Sequence, residues 1–206
     1  CHLQGNAVLQ NGKNFMDFRP GMKLSSVADV YMPRFEGDDS KFIMASHAER
    51  LQKSQCFVQS NAKNSIEKGG LSLTCITCHN PHISVKVTGK EVFNNACKNC
   101  HQQRQCSASP EILKKENNNC VKCHMPKNGT TDIPHVTVHD HYIRKPVTEK
   151  QIQSIQKFVG ITCVNNPSPS AASNAEGYLN YFEKFDSKQT HCLDSAYYYL
   201  QQCSDR

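Results

Sequence analysis

"CVKCHMPKNGTTDIPHVTVHDHYIRKP", residues 120–146, carries two cysteines and four of the ten histidines in a 206-residue chain. Its first five residues, Cys120–His124, spell C-x-x-C-H. The same pattern occurs twice upstream, as "CITCH" at Cys75–His79 and as "CKNCH" at Cys97–His101. At ten histidines in 206 residues, three such placements by chance come to about one in ten thousand.

This spacing is the attachment pattern of c-type haem. Two thiols three residues apart each add to one vinyl group of the same porphyrin. The next residue, His, is then held under the ring, where its imidazole binds the iron axially. The rival is zinc, because Cys75/Cys78 and Cys97/Cys100 are C-x2-C pairs at zinc-ribbon spacing. A site of four thiolates has no use for a histidine after every second cysteine, so haem is the expectation.

The chain begins "CH", the tail of a fourth such motif, with Cys1 and His2 in the attachment and ligand positions. A lipidated N-terminal cysteine is the competing explanation of Cys1. His2 favours haem, which makes the chain a piece of a longer polypeptide. The cofactor expectation is therefore about four haems c. They are bound through Cys1, Cys75, Cys78, Cys97, Cys100, Cys120 and Cys123, with His2, His79, His101 and His124 as proximal ligands. No signal peptide or membrane-spanning run is visible in the sequence.

Composition agrees. Only 37% of residues are hydrophobic, Trp is absent and mean hydropathy is −0.62. Side chains of this polarity form a meagre core, and porphyrin faces would replace much of it. Twelve cysteines with attached haem imply an oxidising compartment, periplasmic or extracellular. The formal charge of +6 is spread over scattered lysines and no nucleic-acid-binding motif occurs, so nucleic acid is not an expected partner.

The remaining histidines are His47, His82, His135, His139, His141 and His191. His82 lies three residues after His79 and cannot reach the far face of the same haem, so it is expected to bind a neighbouring iron. "DDSKFIMASHAERLQKSQCF" reads as a helix from Asp39 or Ser40 that holds His47 over a haem. "PHVTVHDHYI" alternates like a strand from Pro134, with His135, Thr137, His139 and His141 on one face. His139 and His141 are separated by only about 6.6 Å along such a strand, and His135 and His141 by about 20 Å. The distal set is thus His47, His82, His135 and His141, with His139 a supporting or surface residue and His191 structural. Four proximal and four distal imidazoles fill every iron and leave no open position for a substrate. The methionines are expected to pack.

"FMDFRPGM" (residues 15–22), "SHAERLQKSQCF", "LTCITCHNPH", "CKNCH" and "CVKCHMP…DIPHV…DH" followed by "IRKP" run in an order that resembles a family of bacterial multihaem cytochromes c. These look related to a tetrahaem cytochrome that accepts electrons from hydroxylamine oxidoreductase and, more distantly, to pentahaem nitrite reductases. The resemblance spans about residues 1–146. It implies a fold organised around packed haems, with His47, His82, His135 and His141 at distal positions and Cys56 disulfide-bonded to Cys106. The family often carries tetratricopeptide-type helices after the haem region. No C-x-x-C-K motif is visible, so the nitrite reductase active site is not supported.

The expected fold is mainly α with much irregular loop: a multihaem domain over residues 1–146 and a helical tail over 147–206. In the tail, "TEKQIQSIQKFVG" reads as a helix from Thr148 to Gly160. "NNPSPSAASN" (165–174) reads as a linker. "AEGYLNYFEKF" and "THCLDSAYYYLQQC" read as a helical hairpin, either the start of tetratricopeptide-like repeats or a cap packed on the haem domain. Cys163 is left to pair with Cys192 or Cys203, and one thiol is left over. The expected function is electron transfer between redox partner proteins, within a larger assembly of further subunits or copies. A multihaem oxidoreductase acting on a small nitrogen or sulfur species is the alternative, with the haem of His101 the place for a five-coordinate iron. A partner-docking protein, resting on the tail helices, is a third class.

Overall fold

The computed structural model describes residues 3–36, 45–62, 67, 72–101, 106–129, 135–146 and 157–203. In chain order its elements are β1 (Asn6–Leu9), β2 (Ala28–Phe35), α1 (His47–Gln52), α2 (Gln55–Ser60), α3 (Cys75–Cys78), α4 (Lys90–His101), α5 (Pro110–Lys115), α6 (Cys120–His124), β3 (Lys127–Gly129), β4 (Thr137–His139), β5 (Phe158–Cys163), α7 (Ala171–Lys184) and α8 (His191–Gln201). The chain forms two compact units, Cys1–Ser46 together with Thr148–Arg206, and His47–Val147. Residues 1–46 thus join the tail, and the attachment motifs from Cys75 to His124 have a unit to themselves.

In the first unit, β2 is the centre of an antiparallel sheet of order β1-β2-β5. β1 pairs with Ala28–Tyr31, and β5 pairs from Tyr31 to Phe35. Pro33 falls beyond the reach of β1, where its missing N–H breaks no ladder on that side. The helical hairpin α7–α8 packs on this sheet through β1 and β5. Gly177 permits the close approach, since a Cβ there would lie 3.0 Å from the Tyr31 ring and 3.1 Å from Ile161. Phe158 stacks on Tyr181 at 4.7 Å, and Cys192 and Ala196 close the buried layer.

A polar network ties the same elements together. Buried Asp29 accepts from Ser173 Oγ at 2.6 Å and from Asn166 Nδ2 at 2.9 Å. Asn165 acts as a short side-chain strand, donating to the Ala28 carbonyl and accepting from the Val30 N–H. The stretch expected to be a linker therefore anchors the sheet. Its second half is helical, with Ser170 capping α7 by accepting from the Ser173 N–H.

In the second unit α4 packs on α3 and on α6, α1 on α2, and β3 pairs with β4. Its buried residues are Glu49, Arg50, Ser54, Asn94 and Asp140. Among the described residues of this unit no apolar side chain is buried. Ile76 is 73% exposed and Val87 76% exposed, and Val58, Ile83, Val85, Val92 and Ile112 also face outward.

Several expectations change. The fold is mixed, helices and loops with two antiparallel sheets, rather than mainly α. Phe158–Gly160, expected to end a helix, are strand: "FVGITC" is rich in aromatic and β-branched residues and pairs with β2. Thr148–Gln156 lie outside the described residues, as do Asp39–Met44 at the start of the expected His47 helix. In the tail hairpin, α7 packs on the sheet of its own unit and α8 packs on α7, with Leu193, Tyr197, Tyr198 and Leu200 of α8 exposed. Among the described residues no helix is long and apolar enough to cross a membrane.

Candidate haem-binding region

Each complete C-x-x-C-H motif closes a turn of helix. Thr74 and Thr77 form a capping box that starts α3. One turn brings Cys75 and Cys78 to the same face, and His79 leaves the helix with extended backbone (φ −118°, ψ 131°). Cys97, Cys100 and His101 form the last turn of α4. α6 is the third motif itself, capped by Asn119, whose side chain accepts from the Lys122 N–H. Buried Asn94 of α4 accepts from the Cys120 N–H at 3.0 Å and so ties the second motif to the third.

Burial, then Cys120, Cys78 and Cys56, push the Cys97 thiol up to about 11. Burial, followed by Cys56 and Cys75, also raises the Cys78 thiol. Every described cysteine is a free thiol, so the Cys56–Cys106 link expected from the resemblance is not formed. Cys56, on α2, is half-buried, and Cys106 is exposed. Cys163 and Cys203 hydrogen-bond to Asn165 Oδ1 and the Tyr199 carbonyl, and Cys192 is buried among apolar residues.

The imidazoles are arranged by long-range contacts. His79 and His141 have ring centres 6.1 Å apart with planes at 27°. His47, at the start of α1, lies 4.4 Å from His141. His141 Nδ1–H donates to the His139 carbonyl at 2.9 Å, His124 Nδ1–H to the Arg144 carbonyl at 2.8 Å, and His139 Nδ1–H to the Met125 carbonyl at 2.8 Å. A proton fixed on Nδ1 leaves the Nε2 lone pair free to bind a metal. Burial, and then the neighbouring His47, depress His141 to about 4, so its ring is neutral at ordinary pH.

The segment that carries His141 is pinned to α1 and α2. Arg50 holds Asp140 bidentately, Nε to Oδ1 at 2.8 Å and Nη2 to Oδ2 at 2.6 Å, with both side chains almost fully buried. Ser54 Oγ donates to the His141 carbonyl and accepts from the Ile143 N–H. Two guanidinium groups lie over the Tyr142 ring, that of Arg50 at 5.1 Å and that of Arg144 at 4.7 Å from its centre.

Cys1 and His2 lie outside the described residues. His82 is exposed, with its N–H donating to Asn80 Oδ1. His101 ends α4 exposed. His135 is exposed in left-handed backbone (φ 64°), so the expected strand is shorter and begins at Thr137. His191 contacts Phe158. Arg50, Asp140, Ser54 and Asn94 were not foreseen. The one local signal was Asp140 between two histidines, and its partner lies ninety positions away.

The residues present fit c-type haem. Each complete motif offers two thiols on one helical turn with a histidine directly after them, and Ile76 and Val92 beside the motifs face outward. Among the described residues no group of three or more His, Cys, Asp or Glu side chains is placed to hold a metal ion. No protein-family model, curated protein or solved structure matches the chain.

Proposed function

We propose that the chain is an electron-transfer protein carrying c-type haems on Cys75/Cys78, Cys97/Cys100 and Cys120/Cys123, with a fourth on the partial motif at Cys1–His2. The observation that carries this reading is the second unit's interior. Among the described residues that unit buries five polar side chains and no apolar one while Ile and Val face outward, which supports an apolar cofactor seated there. When bound, haem supplies a one-electron iron couple whose potential is set by its axial ligands and surroundings. The chain's residues orient the His124 and His141 imidazoles through Nδ1 hydrogen bonds to backbone carbonyls, which leaves Nε2 of each for a metal. The hydrogen bond from the Cys120 N–H to Asn94 of α4 ties the second motif to the third, which supports closely spaced cofactors and hence relay between redox partners. An exported, oxidising location follows from thioether chemistry and the cysteine content.

Visible and electron paramagnetic resonance spectra of the ferric, haem-loaded chain test this function. Low-spin iron throughout and no reaction with cyanide are expected. A high-spin haem that takes cyanide would favour the second reading, an oxidoreductase acting on a small nitrogen or sulfur species. His101, exposed at the end of α4, is the position that supports it.

A further inference from the structure

We infer that His79 and His141 are the two axial ligands of one iron, that of the haem bound through Cys75 and Cys78, and that the Arg50–Asp140 pair positions His141 for it. This rests on the haem reading above and adds the ligand pairing, which the sequence leaves open. Metal–imidazole bonds of about 2.0–2.1 Å in line, plus the reach from nitrogen to ring centre at each end, put the ring centres of a bis-imidazole metal roughly 6 Å apart. The observed spacing is 6.1 Å, between a histidine fixed by its motif and one contributed from far downstream.

The downstream ring is prepared for that role. Its Nδ1–H is committed to the His139 carbonyl, so Nε2 is the nitrogen available to the metal. Its backbone is held from α1 and α2 by Ser54, and by Arg50 through the adjacent Asp140. A bidentate guanidinium–carboxylate contact fixes distance and angle together, and both groups are buried where water does not compete. His47 is the other imidazole at hand, and because its ring lies 4.4 Å from that of His141 the two are told apart by experiment.

The test uses the full chain, exported and haem-loaded, with its haems counted by intact mass. His141→Gly should produce one haem's share of ferric high-spin signal, returned to low spin by added imidazole. In a Cys75→Ala/Cys78→Ala background, which carries one haem fewer, His141→Gly should add no high-spin signal. Asp140→Asn keeps the ligand and is the milder variant should His141→Gly fail to accumulate. It should raise the high-spin fraction of the same haem, reversed by imidazole, and again only when Cys75 and Cys78 are present. High-spin signal from either variant that survives loss of Cys75 and Cys78 would overturn the pairing. So would a His141→Gly chain that stays low-spin, or a His47→Gly chain that meets the criteria set for His141→Gly. A chain carrying no haem would refute the haem reading and the pairing with it, whereas a loaded chain failing these criteria refutes the pairing alone.

Discussion

Arg50 and Asp140 are buried ions ninety positions apart, each the other's bidentate partner. Removing one leaves the other charged and desolvated. Asp140→Ala or Arg50→Met is therefore expected to destabilise the loaded protein by about 3–5 kcal/mol, whereas Arg50→Met combined with Asp140→Leu should recover much of that loss. Denaturant midpoints of the two single variants and the double variant check this, and additive losses would contradict it. Asp29 behaves similarly in the first unit. Asp29→Ala removes the shared acceptor of Ser173 Oγ and Asn166 Nδ2 and should cost roughly 1–3 kcal/mol, read as a lowered Tm. Residues of this kind were not legible in the sequence. The C-x-x-C-H motifs were, because five adjacent positions carry their whole geometry. A salt bridge spanning ninety positions leaves no local trace beyond an acid between two histidines.

At the scale of elements, legibility followed how local the determining forces are. The tail helices carry their own apolar stripe: α8 occurs close to where its spacing places it, and α7, capped by Ser170, starts at Ala171 inside the expected linker. β2 went unassigned because its first five residues are buried on both faces, which erases the alternation that marks a half-exposed strand. β5 was hidden inside a helical pattern, and pairing with β2 overrides that pattern. The strand through His139 was expected to include His135, and left-handed backbone there stops it short. Gly177 links helix to sheet. Gly177→Val would drive a branched side chain into Tyr31 and Ile161 and is expected to cost about 1–3 kcal/mol, seen as a lower Tm and weaker protection of α7 in hydrogen exchange. An unchanged Tm would mean that α7 moves away without loss.

At the scale of the whole molecule, the two units obtain their stability differently. The first has an ordinary buried layer of Val8, Val27, Tyr31, Phe158, Tyr181 and Cys192. The second buries only polar side chains among its described residues, so its order is expected to depend on the cofactor. Replacing the six cysteines of the complete motifs by alanine should abolish slow hydrogen exchange in α1, α4 and α6 and preserve it in β2 and α7. Equal protection of all these elements in the substituted chain would contradict cofactor dependence. Composition gave the first sign of this division, since a chain with mean hydropathy −0.62 cannot build two apolar cores of ordinary size.

The most direct measurement is the intact mass of the chain after expression in a host that exports proteins and attaches haem c. Covalent attachment at the complete motifs predicts the polypeptide mass plus at least three haems, in a sample that shows a c-type reduced spectrum. A colourless product at the bare polypeptide mass would contradict it, whether or not zinc is bound.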